Sequence, residues 1–261
     1  MVARQDSDLV TSDKTACPGS RVVPPGSDSG LRVEPGRDTI EQQKITSRIC
    51  ISTEPFSFRN RKLMMLSAWI KIPYTIFVCA LVPVYWMERG PANFLWFSDV
   101  ALLVMVPALW MENRFLSSMM AVGVLLPEFA WNLDFFLRLV AGFDVIGLNA
   151  TGYMFASDYT PLFKFFSLFH VILPLLLLWT IYRLGYDTRA VYAQTLLVWI
   201  LLPVCYLATD PERNLNWVFG VGNPPQTWVP GLIYMVLLML AYPLLVFIPT
   251  HFMLKAVFNG R

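Results

Sequence analysis

From Leu63 onward the chain alternates long apolar runs with short polar stretches. The runs fall at approximately 66 to 87, 94 to 111, 115 to 141, 162 to 184, 189 to 208 and 230 to 256. Each approaches the roughly 20 residues a helix needs to span about 30 Å of hydrocarbon. The pattern predicts an all-α polytopic membrane protein, a bundle of six transmembrane helices. The second run is short and the third long, so the third is expected to tilt or to extend past the interface. Trp86, Trp110, Trp179, Tyr182 and Trp228 fall near run ends, where amphipathic rings favour the headgroup region.

Every run contains proline: Pro73 and Pro83, Pro107, Pro127, Pro174, Pro203, and Pro243 with Pro249. An interior proline removes one helical hydrogen bond and frees the carbonyl four residues earlier. Pro127 is therefore expected to free the carbonyl of Gly123, and Pro174 that of His170.

The polar segments differ in kind. Residues 1 to 62 are rich in Ser, Asp, Pro, Gly and Arg and lack hydrophobic periodicity, so they are expected to form a disordered tail. No apolar h-region marks a secretory signal there. Met64 and Met65 stand just before the first run, which makes a start of translation at that point an expectation; the six-helix domain is then 63 to 261. The segment 209 to 219, TDPERNLNWVF, places Pro211 after cap-type Thr209 or Asp210 and before Glu212. These are helix-start signals, and they predict a short helix lying over the bundle.

Composition agrees with the membrane assignment. Of 261 residues 56% are hydrophobic and 15% charged, and the mean hydropathy is +0.53, too apolar for a soluble domain of this length. The net charge of +2 gives no field that recommends nucleic acid as a partner. Cys17, Cys50, Cys79 and Cys205 form no metal-type or disulfide-type spacing, so no metal and no other cofactor is expected. Arg59, Arg61, Lys62, Arg114, Arg183, Arg189, Lys255 and Arg261 flank one set of run ends, against Arg89, Arg138, Lys164 and Arg213 at the other. Eight against four predicts a cell (inner) membrane protein with both termini cytoplasmic and the three longer connections outside.

Four polar residues interrupt the apolar runs at similar inferred depth: Asp99, Glu128, Asn132 and His170. A carboxylate at membrane depth costs a few kcal/mol even on lenient scales, so it usually faces a protein interior or a wet cavity. Glu128 and Asn132 are four apart and share a helix face, whereas Asp134 has Arg138 four residues on and is expected to pair with it near the interface. His170 has Ser167 on its face, and Ser98 adjoins Asp99. With His170 and His251 the chain's two histidines, a multi-histidine metal site is disfavoured. GxSxG, phosphate-loop and HExxH patterns are absent.

The segments PANFLWFSD, LLPEFAWNLDFF, SLFHVILP, TDPERNLNWVFG and PQTW resemble a family of small bacterial multi-pass membrane proteins of uncharacterised function, over roughly residues 66 to 256. An FLxF motif on an early helix followed by His and LP on a later one is also similar to the androgen-induced membrane lipid hydrolases. Those six-helix proteins use an intramembrane Thr and His on fatty-acid esters. That resemblance implies a catalytic role for His170, while Trp96 stands where their Thr would be.

Three functional readings follow. The leading one is an outward-facing cavity, lined by Asp99, Glu128, Asn132 and His170, that binds or moves a small polar or cationic ligand, or protons. The second is a lipid hydrolase or acyltransferase with His170 as base, Asp99 as its orienter and Ser98 or Ser167 as nucleophile. The third is a structural protein whose polar groups lock helices together. The expected partners are the bilayer and a small polar ligand or lipid.

Overall fold

The computed structural model describes residues 66–258 except 145, 146, 148, 223 and 224. The expected tail at 1 to 62 lies outside the described residues. Among these residues the secondary structure is helical, with no strand. The main helices are α1 (Ala68–Arg89), α2 (Phe97–Trp110), α3 (Arg114–Ala141), the short α4 (Gly152–Phe155), α5 (Pro161–Ser167), α6 (Phe169–Leu184), α7 (Ala190–Ala208), α8 (Gly231–Ala241) and α9 (Ile248–Phe258).

Five stretches are long and apolar enough to cross a membrane: α1, α3, α5 with α6, α7, and the continuous span from Gly231 to Phe258. The protein is thus a helical membrane protein with several crossings. α2 matches the second apolar run, but at 14 residues it measures only about 21 Å at 1.5 Å per residue. Its start is replaced by a 3₁₀ turn at Pro91–Leu95. Large apolar side chains such as Trp69, Ile76, Leu139, Leu207 and Leu245 stand exposed around the bundle, as lipid-facing positions do.

Local chemistry sets the helix ends. Asn113 precedes α3 and its Oδ1 accepts from the backbone N–H of Leu116 at 3.1 Å. Gly142 ends the helix in the left-handed conformation (φ 78°), its N–H bonded to the carbonyl of Arg138. Thr160 caps α5 with Pro161 in the first turn. In the last span α8 and α9 are joined by π-helical backbone at Tyr242–Phe247. Pro243 lies there, and a wider turn accommodates a residue that can donate no hydrogen bond.

Two sets of connections gather at opposite ends of the bundle. At one end Glu112 accepts from Lys71 Nζ at 2.6 Å and from the N–H of Leu66 at 3.0 Å. There too the N–H of Asp187 donates to Ser118 Oγ at 2.9 Å, and Tyr186 Oη lies 2.7 Å from His251 Nδ1. At the other end Arg89 donates to Tyr159 Oη at 2.7 Å and Glu88 bonds Thr160.

The segment after Pro211 departs from expectation. It forms turns at 211 to 213 and a 3₁₀ turn at Leu215–Trp217, not an α-helix. Asn214, Asn216 and Trp217 have positive φ, and the asparagine side chains take over the backbone bonding. Asn214 Nδ2 donates to the carbonyls of Gly220 and Gly222 at 2.8 and 2.7 Å. Asn216 Oδ1 accepts from the N–H of Phe97 at 3.0 Å, while its Nδ2 donates to the carbonyl of Leu95 at 2.7 Å. Asparagine tolerates left-handed backbone and competes for main-chain partners, so the loop folds inward and finishes the top of α2.

Candidate functional site

α3 and α6 carry the central polar pair. On α3, residues 121, 124, 125, 128 and 131 are buried, a spacing of three and four that turns one face toward α6. The carboxylate of Glu128 meets His170 Nδ1 at 2.9 and 3.1 Å through its two oxygens. The side chains are 3% and 14% exposed respectively. Trp131, one turn after Glu128, stacks on the imidazole with ring centroids 4.5 Å apart and planes at 22°. An Nδ1–H donated to Glu128 leaves Nε2 as the basic nitrogen of a neutral ring, or as the second N–H of the imidazolium.

Asn132 supports this pair from the same face. Its Nδ2 donates to the carbonyl of His170 at 2.7 Å and to that of Glu128 at 2.8 Å. The His170 carbonyl is the one Pro174 leaves without a helical donor, so the expected vacancy exists and Asn132 fills it. Asn132 itself is absent from the cavity wall; it acts on backbone, a correction to its expected place among the lining residues.

The Glu128–His170 pair borders a cavity of about 490 Å³ whose wall also includes Ser98, Asp99, Asp134 and Ser167. Aromatic rings make up much of the remainder: Tyr85, Trp96, Phe97, Trp131, Tyr153, Phe163, Trp217 and Tyr242. A second space of about 670 Å³ lies beyond it, with Glu88, Arg138, Glu212 and Arg213 on its walls. Arg89, Trp96, Ala150, Tyr153, Tyr159 and Trp217 line both. They form a neck between a charged vestibule and an aromatic chamber.

Asp99 sits in the first turn of α2 and is 3% exposed. Its Oδ2 accepts from Asn93 Nδ2 at 3.0 Å, while Oδ1 is buried with no hydrogen-bond partner. Asp99 therefore does not orient His170; Glu128 holds that position, because the α3–α6 packing places it against Nδ1. Asp134 also departs from expectation. Its Oδ2 accepts from the N–H and the hydroxyl of Thr151 at 2.9 and 2.6 Å, and Oδ1 is buried without a partner. Arg138 turns instead to Asp144 at 3.1 Å and to Asn149 Oδ1 at 3.0 Å. Thr151 thus partners Asp134, while Asp144 and Asn149 partner Arg138, and Asp134 joins the cavity wall.

Neither serine hydrogen-bonds to His170. The hydroxyl of Ser167 lies 2.7 Å from Tyr85 Oη and donates to the carbonyl of Phe163 at 3.0 Å. Ser98 lines the cavity, half-buried. Nucleophilic activation of either by His170 is not set up in this arrangement.

Sequence reasoning missed Tyr85, Asn93, Trp131 and Asn216. Only Asn216 carried a local signal, as one of two asparagines flanking Leu215 just before the apolar Trp217, Val218 and Phe219. Comparison with protein-family models, with curated proteins and with solved structures found no match.

Proposed function

We propose that the protein is a binding and translocation protein for a small organic cation, with six crossings including the short α2, both termini cytoplasmic and the chamber open to the outside of the cell membrane. One observation carries this reading. Three carboxylates, Asp99, Glu128 and Asp134, border a largely aromatic cavity, and two of them keep a buried oxygen without a donor. A buried carboxylate oxygen lacking a donor is costly. A cation inside the chamber would place a countercharge beside these carboxylates, and the aromatic faces would add cation–π attraction. Glu128 with His170 then forms a proton acceptor beside the cation site, so exchange of a proton for the cation gives a driving force.

The test is binding of tetramethylammonium to the purified chain by calorimetry, followed by choline uptake into proteoliposomes under a pH gradient. Asp99→Asn should weaken tetramethylammonium at least tenfold with an unfolding midpoint no lower than wild type, and Glu128→Gln should abolish the response of uptake to pH. Full affinity in Asp99→Asn refutes the assignment.

A second reading, an intramembrane hydrolase or acyltransferase, is favoured by the carboxylate-oriented imidazole of His170. Its nucleophile would have to come from the substrate or water, given how Ser167 is held. Covalent labelling of wild type by a fluorophosphonate, lost in His170→Ala, would support a serine enzyme instead.

A further inference from the structure

The aromatic chamber has a second side besides its neck. Part of its wall comes from Leu126, Pro127 and Ala130 of α3, and part from Leu245 and Val246 in the π-helical turn of the last span. Ala130 and Leu245 are both exposed on the outer surface of the bundle, Leu245 to 71%. Residues that line a cavity and also face outward mark where its wall is thin. Their neighbours on that surface, Phe129, Leu133 and Leu244, are apolar and exposed as well, so what lies outside is hydrocarbon.

Depth places both edges together. Ala130 is eleven residues before the end of α3, about 17 Å along the helix, and Leu245 is fourteen residues into the last span, about 21 Å. Both edges thus lie well below the polar vestibule. The last span carries its π-helical turn at this point, and α3 carries Pro127, which has no N–H to donate. π-Helical turns recur at functional sites.

Resting on the cation reading above, we infer that the ligand is an amphiphilic organic cation with a single hydrocarbon chain. Its charged head sits among Asp99, Glu128 and Asp134, and its chain leaves through the opening between Ala130 and Leu245 into the bilayer. The arrangement solves a solvation problem for such a molecule. A head that would otherwise rest at the water interface gains carboxylates and aromatic faces, while the chain remains in hydrocarbon and loses no hydrophobic free energy. A hydrophilic cation can use only the neck.

The experiment compares tetramethylammonium with dodecyltrimethylammonium on the full chain in amphipol, below the micellar concentration, reading the unfolding midpoint against concentration. Wild type should be protected by the dodecyl compound at a concentration at least tenfold lower than by tetramethylammonium. Ala130→Trp, which fills the opening from α3, should remove that advantage and leave tetramethylammonium unaffected. Leu245→Trp, at an exposed position that tolerates bulk, should do the same from the other edge. An equal effect of the two cations on wild type, or an advantage that survives both substitutions, overturns the inference and leaves the cation reading standing. If neither cation protects, the cation reading fails, and monolauroylglycerol decides the opening. Protection lost in both tryptophan variants keeps a chain site for a neutral amphiphile and overturns the cationic head, whereas no protection overturns the inference altogether.

Discussion

Replacing Asn132 by leucine isolates what Pro174 costs the fold. Pro174 has no N–H, so the carbonyl of His170 loses its helical donor, and Asn132 Nδ2 reaches it from α3 at 2.7 Å. Interhelical hydrogen bonds in membranes average only about 0.6 kcal/mol, because the unfolded helices find other partners. A carbonyl stranded without any donor is a different case, with a cost of about 1–3 kcal/mol. Here the second figure governs, since no helical N–H is available to return to. Asn132→Leu is therefore expected to destabilise by more than about 1 kcal/mol, within that stranded-group range. In a Pro174→Ala background the N–H of residue 174 can take the carbonyl, and the same substitution should cost well under half as much. The assay is a double-mutant cycle of unfolding free energies in bicelles, where a coupling beyond about 0.5 kcal/mol marks interacting sites. An equal cost of Asn132→Leu in both backgrounds would show that the asparagine acts elsewhere, and the account of the freed carbonyl would fall.

At the opposite end of the bundle, Glu112→Ala should destabilise far more than Lys71→Met, by about 3–5 kcal/mol, because it leaves a buried ammonium without its carboxylate; equal losses in thermal unfolding would contradict this. Asn216→Ala should cost about 1–3 kcal/mol by freeing the N–H of Phe97 and leaving the carbonyl of Leu95 only the weak thiol donor of Cys205, and faster hydrogen exchange at Phe97 is the readout. Hydrogen bonds from the Arg189 side chain, with its N–H and the nearby Arg114, hold the Asp187 carboxyl below the usual carboxylate range. Because the folded value is the lower one, this contribution is present above the unfolded value near 3.9 and is lost as pH falls through the folded one. Wild type should thus lose stability below about pH 4 more steeply than Asp187→Asn, and parallel acid-unfolding curves would rule the contribution out.

The spans were legible because one strong constraint, a run of about 20 apolar residues, sets each of them. The observed α7, Ala190–Ala208, differs from the run read at 189 to 208 by one residue. The carbonyl freed by Pro174 was equally legible, being covalent in origin. Pairing across helices was not. Glu128 and His170 are 42 positions apart, and which faces meet depends on helix rotation, which an almost uniformly apolar pattern leaves open. Asp134 with Arg138 shows the limit of the i, i+4 rule. The spacing made them neighbours, but the N–H and hydroxyl of Thr151 bond Asp134 instead. At Pro211 the start signals were real, yet Asn214 and Asn216 gave the backbone partners outside a helix, and the short-range signal lost.

The bond between Asn216 and the start of α2 also orders events in time. Asn216 lies 119 positions after Phe97 and 121 after Leu95, so a growing chain emits the second helix long before the residue that finishes it. Until then the N–H of Phe97 has no side-chain partner and the carbonyl of Leu95 has only the weak thiol donor of Cys205, and α2 alone is too short for a bilayer. The aromatic chamber beneath inherits that delay, because Asn216 and Trp217 form part of its wall. A chain interrupted before Thr209 would carry most of the polar residues of the site without the full wall of the chamber. The chamber is therefore completed late in synthesis, with the segment that joins the last two spans.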